Sequence, residues 1–164
     1  MRIDSPDNKR EALSDTNFRF AIVASCWNDS LVSRLVDGAL DALREALLTE
    51  DAWEIIRVPG SFELPLGALK AAESKQFDAV ICLGVIIRGE TPHFDYVAAE
   101  TARGIMDVNL KTGVPVMFGV ITANTIEQAN ARAGDKHDNK GYEAANAAVE
   151  VASLFRHRFD QMPR

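Results

Sequence analysis

Residues 84–97 read GVIIRGETPHFDYV, and a cluster of chemistry-bearing side chains arrives there just where an apolar run stops. Gly89 lets the backbone approach a ligand closely, and Thr91 offers a hydroxyl. A helix beginning just beyond them presents amide donors suited to a phosphate. His93 stands beside that anion site, and an imidazole can give and take protons near neutral pH. Glu90 is a local anion and weakens any phosphate pocket made of side chains alone. A lone histidine is often only structural, so position alone leaves both roles open.

Three other stretches carry candidates. Trp27 and Asn28 follow the apolar run FAIVASC. An exposed aromatic there can stack on a planar ring, although a tryptophan at a strand end more often packs under a loop. VPGSFELP, residues 58–65, offers free backbone around Gly60, the Ser61 hydroxyl and the Glu63 carboxylate at a helix start. A helix dipole favours a carboxylate in that place with or without a ligand. RAGDKHDNKG, residues 132–141, gathers Arg132, Lys136 and Lys140 in an otherwise acidic chain. Arginine as a planar fork and lysine as a point charge each suit a phosphate, while a solvated polar turn is the plainer reading. His137 and His157 read as surface residues.

These residues need elements to hold them. Residues 18–27 and 77–87 are continuous apolar runs, the pattern of strands buried on both faces. Residues 53–58 and 114–122 read as two more strands. Between them lie helical segments: one from the capping candidates Asn28, Asp29 and Ser30 onward, then 63–75, and 95–113 ending at Gly113. Two closing helical segments follow, split by DKHD, with Thr125 and Gln128 as a capping box for the first. Strands alternating with helices predict parallel strands joined by crossovers. The expected fold class is therefore α/β, a three-layer α/β/α sandwich of flavodoxin type on a four-stranded parallel sheet. In such sheets ligands bind beyond the carboxyl ends of the strands. That rule selects Trp27–Asn28, Pro59–Glu63, Arg88–His93 and Thr122–Asn124, where the unusual residues cluster.

At 164 residues the chain reads as one domain, 18–164, preceded by a polar arm, 1–17. The arm can be disordered, or can add an edge strand to a neighbouring subunit. A net charge of −6 and a pI of about 5.1 argue against a nucleic-acid partner but not against a phosphorylated small substrate. Cys26 and Cys82 lie in apolar runs without CxxC spacing, which predicts two buried thiols in a reduced compartment and no zinc site. No apolar run approaches membrane-span length and the N-terminus has no secretory pattern, so the expectation is a soluble, cytoplasmic protein.

Taken in order and at their spacing, VPGSFELP, GVIIRGETPHFDYV, VPVMFGVIT and RAGDKHDNKG resemble the 6,7-dimethyl-8-ribityllumazine synthase family, over about residues 18–157. The resemblance implies a condensation in riboflavin biosynthesis. A ribitylaminopyrimidine, 5-amino-6-(ribitylamino)uracil, joins 3,4-dihydroxy-2-butanone 4-phosphate with loss of water and phosphate, without metal or cofactor. It implies that Trp27 stacks on the pyrimidine, with Asn28 in the same substrate-binding set. Ser61, Phe62 and Glu63 would hold that substrate, Glu63 at the ribityl hydroxyls. Val85, Ile86 and Ile87 would line the ring site, partly through backbone groups. Glu90 and Thr91 would bind the phosphate, His93 would transfer protons, and Arg132 would pair with the phosphate. Lys140 would lie near the pyrimidine, and Phe118 would come from an adjacent subunit of a homo-oligomer. That assembly would be a ring of five or a shell built from such rings. Many members carry Phe where this chain has Trp27 and Ala where it has Ser61, and both departures keep the needed chemistry. The rival readings are a non-catalytic lumazine or flavin binder and a shell-forming scaffold. A flavodoxin-like electron carrier is disfavoured because the loop after the first strand is WNDS, not a Ser/Thr-rich phosphate loop.

Overall fold

The computed structural model describes residues 17–46 and 48–159. In chain order it contains β1 (Phe20–Ser25), α1 (Asp29–Glu45), β2 (Trp53–Val58), α2 (Leu64–Glu73) and β3 (Ala79–Ile87). α3 (His93–Thr112), β4 (Val116–Ala123), α4 (Ile126–Asn130) and α5 (Lys140–Arg158) follow. The four strands form one parallel sheet in the order β2-β1-β3-β4. From β1 the chain steps one way to β2 and the other way to β3, so a crevice opens beyond the carboxyl ends of β1 and β3.

Period-two alternation along the central strands divides the apolar residues between two cores. Phe20, Ile22, Ile81, Leu83 and Val85 pack with Leu31, Leu35 and Ala39 of α1 and Ala145 and Ala148 of α5. Ala21, Val23, Val80, Cys82 and Ile86 pack on the other face with Leu64 and Ala68 of α2 and Ile105 and Val108 of α3. The sandwich of three layers is thus present. Each fully buried Leu, Ile or Phe contributes about 1.5–3 kcal/mol relative to exposure. β2 is an edge strand none of whose six residues is fully buried, with Glu54, Ile55 and Arg57 exposed.

Three local expectations change. α3 begins at His93 rather than at 95, because Pro92 already has a helical φ of −62° and its carbonyl accepts the Asp95 amide at 3.0 Å. At α4 the box is half formed: Thr125 accepts the Gln128 amide, but the Gln128 side chain bonds Asn124 N–H at 2.8 Å, one residue early. Cys26 is exposed, whereas Cys82 is buried as expected. β1 ends at Ser25, so Cys26 has left the sandwich before its side chain can be covered. The arm expected at 1–17 lies, Asn17 apart, outside the described residues.

Two contacts fix α5 against α1. A Cβ at Gly141 would lie 1.9 Å from the Leu35 carbonyl oxygen, so only glycine permits this approach. Asn139, buried at the head of α5, accepts from the Gly141 and Tyr142 amides and donates to the Arg34 and Gly134 carbonyls. All the bonding capacity of one side chain is spent holding the 132–139 loop to both helices.

Candidate active site

The crevice owes its shape to strand register. β3 pairs with β1 only as far as Ala24↔Leu83, but with β4 as far as Ile87↔Ala123. Gly84–Ile87 therefore have a strand on one side and the crevice on the other. The Arg88 amide donates to Ala123 O at 2.9 Å, toward β4. By alternation Val85 and Ile87 turn their main-chain groups toward the crevice. Asn28 occupies one of them, its side-chain amide donating to Val85 O at 2.9 Å. It sits in the left-handed region (φ 60°), which Asn tolerates, and turns the chain from β1 into α1. Its side chain thus serves β3 and leaves the helix start uncapped. The side chains of Val85 and Ile86 are buried in the two cores, so what these residues offer a ligand is main chain.

Beside this edge stands Trp27, 75% exposed and so not packed beneath a loop. Its amide donates to Pro59 O, and the Cys26 amide to Val58 O and Pro59 O, which zips the β1 end to the Pro59–Glu63 loop. In that loop Glu63 forms a 3-10 turn end whose carboxylate accepts the Gly60 amide at 2.8 Å. One carboxylate oxygen is thereby fixed, and the group retains acceptor capacity for a ligand hydroxyl. Ser61 is buried and its carbonyl accepts the Thr101 hydroxyl of α3 at 3.1 Å, while Phe62 is exposed. Trp27→Ala is expected to raise the dissociation constant of a pyrimidine ligand by roughly tenfold to a hundredfold, since stacking on an aromatic is worth about 1–3 kcal/mol per base. Titration calorimetry with 5-amino-6-(ribitylamino)uracil checks this, and an unchanged constant would place the ring elsewhere.

Next along the sheet end come Glu90, Thr91 and His93, all exposed, with His93 the first residue of α3. Their side chains make no hydrogen bond or ion pair among the described residues. Arg88 and Asp95 bracket them and are bonded to one another at 2.6 and 3.2 Å. Hydrogen bonds from Arg88 hold the Asp95 carboxyl below its ordinary range, and the same bonds hold the guanidinium above its own.

Arg132 follows α4 and is exposed, its side chain without a hydrogen-bond or ion-pair partner among the described residues. The neighbouring cations are engaged: Arg34 with Asn130, Arg57 with Asp29, and Lys136 with Glu45. Lys140, expected near the pyrimidine, is ion-paired with Glu143 at 2.7 Å. Phe118 stands apart from the others. It lies five residues before the end of β4, about 16 Å at the usual strand rise, and is 44% exposed. Among the described residues no group of three or more His, Cys, Asp or Glu is placed to hold a metal ion. No helix among them is long and apolar enough to cross a membrane.

Arg88, Thr101 and Asn139 escaped the sequence reading as supports of the site. Asn139 had a visible signal, an Asn directly before a helical stretch. The other two depend on tertiary contacts.

The profile of the 6,7-dimethyl-8-ribityllumazine synthase family matches residues 17–156. A 6,7-dimethyl-8-ribityllumazine synthase of Syntrophus aciditrophicus (strain SB) is 54% identical over 138 residues, 84% of this chain and 90% of the relative. One from Desulfatibacillum aliphaticivorans is 51% identical over 142 residues, 87% of this chain and 92% of the relative. The profile spans every strand and loop that builds the crevice, and with the two relatives it establishes that the chain belongs to the 6,7-dimethyl-8-ribityllumazine synthase family.

Proposed function

We infer that the protein is a 6,7-dimethyl-8-ribityllumazine synthase, a transferase of riboflavin biosynthesis. It condenses 5-amino-6-(ribitylamino)uracil with 3,4-dihydroxy-2-butanone 4-phosphate, releasing water and phosphate. The observation that carries the site assignment is the grouping of Trp27, Gly60–Glu63, the free edge of β3 and the Arg88–His93 loop around one crevice. Trp27 stacks on the pyrimidine, and Ser61, Phe62, Glu63, Asn28 and the main chain of Val85–Ile87 hold it. Thr91 and the amides of the Glu90 loop receive the phosphate, Arg132 pairs with it, and His93 moves protons between the condensing heteroatoms. Holding two substrates at attack distance can supply about 7–11 kcal/mol of the barrier, so a site built of shape, aromatic faces and backbone is adequate.

The separation of Phe118 from its own crevice supports a homo-oligomer in which that ring closes a neighbour's site. Leu66 of α2 and Met106 and Leu110 of α3 expose apolar surface that such an assembly would cover. Residues 18–164 act as one domain in the cytoplasm. Lys140 reaches the pyrimidine after exchanging its Glu143 partner.

The decisive assay mixes the purified protein with both substrates and follows the fluorescent lumazine against an enzyme-free control. No acceleration with the pyrimidine still bound would make the protein a binder. Arg132→Ala is expected to raise KM for the phosphorylated ketone by about tenfold to a hundredfold, as a hydrogen bond to a charged group is worth about 1.5–3 kcal/mol. Varying each substrate in turn checks it, and an unchanged KM would make Arg132 structural.

A further inference from the structure

The loop between β3 and α3 has few ties of its own. Its main chain is held at one end by the Arg88 amide on Ala123 O and at the other by the Asp95 amide on Pro92 O. A Cβ at Gly89 would meet nothing within 4 Å, so the loop is not packed from that side. Side-chain support comes from Arg88. Its Nε donates to Asn124 Oδ1 beyond β4 at 3.0 Å, and its two terminal nitrogens donate to Asp95 of α3. The guanidinium carbon lies 4.2 Å from the centre of the Phe94 ring. One planar fork thus joins the ends of two strands to the first turn of a helix.

An exposed ion pair contributes little to folding stability, and both partners here are largely open, with side-chain exposures of 41% and 56%. Yet the pair is bidentate and stacked, a geometry that only arginine supplies. Both terminal nitrogens are taken up by Asp95, which removes the fork from competition for a substrate anion. The arrangement suits a geometric role better than a stabilising one.

We propose that Arg88 is a positioning residue: anchored on Asn124, Asp95 and Phe94, it sets the spacing of Glu90, Thr91 and His93 for the phosphorylated substrate without touching that substrate. The proposal rests on the reading that this loop receives the phosphate.

The test uses Arg88→Gln, Arg88→Lys, Asp95→Asn and the Arg88→Gln/Asp95→Asn double variant. Each is assayed for kcat, for KM of each substrate, for inhibition by inorganic phosphate and for Tm. The expected result is a KM for 3,4-dihydroxy-2-butanone 4-phosphate raised by roughly tenfold to a hundredfold, the scale of a 1 Å misplacement. Phosphate inhibition weakens in parallel, while the pyrimidine KM and Tm stay near wild type. Arg88→Lys falls between wild type and Arg88→Gln, and the double variant is no worse than its worse parent, since each change removes the same contact. Equal losses for both substrates, losses that track Tm, or additive effects in the double variant overturn the proposal. Unchanged kinetics in Arg88→Gln, with wild-type phosphate inhibition competitive against the ketone, sink the clamp alone. Wild-type protein on which phosphate does not compete with the ketone sinks the loop reading and the clamp with it.

Discussion

His93→Ala slows turnover by roughly 10²–10⁴-fold, the usual contribution of a positioned proton-transfer group, while pyrimidine binding stays nearly intact. The split follows from the geometry. The contacts proposed for the pyrimidine lie at Trp27, the Gly60–Glu63 loop and the β3 edge, all of which keep their own hydrogen bonds when the imidazole is removed. The His93 side chain makes no hydrogen bond or ion pair among the described residues, so its loss leaves no orphaned partner and should not disturb α3. Single-turnover rates measured from pH 6 to 8, together with a pyrimidine titration, test both halves. A variant with wild-type kcat across that range would remove His93 from the proton path. An equal loss in pyrimidine affinity would instead make the imidazole part of the ring's binding site.

Gly141→Ala has the largest effect on stability. Its added methyl would sit 1.9 Å from the Leu35 carbonyl oxygen and 2.6 Å from the carbonyl carbon, and backbone cannot rotate aside as a side chain can. Relief requires α1 and α5 to separate at their closest approach, where buried Leu35 and Ala145 would lose contact. A cost of at least about 3 kcal/mol is expected, at the upper end for overpacking, which lowers Tm by roughly 6–12 °C in a domain of this size. The Asn139 bonds to Arg34 and Gly134 would stretch with it, so Arg132 shifts and activity falls beyond the loss of folded protein. Gly134→Ala is the control, because a Cβ there meets Asp138 only at ordinary contact distance, 3.6 Å. Equal melting curves for Gly141→Ala and wild type would mean that the helices adjust freely.

The layer architecture was legible in the chain because β1 and β3 are unbroken apolar runs and α1 carries a clear helical stripe. The crevice was legible for a related reason: loops after parallel strands are where ligands go, and Trp27, Glu63 and His93 fell there. What escaped were features set by distance in space. The sequence does not announce that β3 outruns β1, that Asn28 reaches across to Val85, or that Cys26 emerges beyond the strand. Trp27 was ambiguous between packing and display, and only its exposure decides. The Lys140–Glu143 pair is local, at a helical spacing of three, and could have been read from the sequence.

Where β3 runs past β1, the proposed recognition of the ring falls to peptide groups that every amino acid except proline carries alike. The side chains at 85 and 87 would then answer to core packing and strand register rather than to the ligand. An inhibitor that draws its hydrogen bonds from the Ile87 peptide would face few single-codon routes to resistance, because the contact it uses is not encoded by any one side chain.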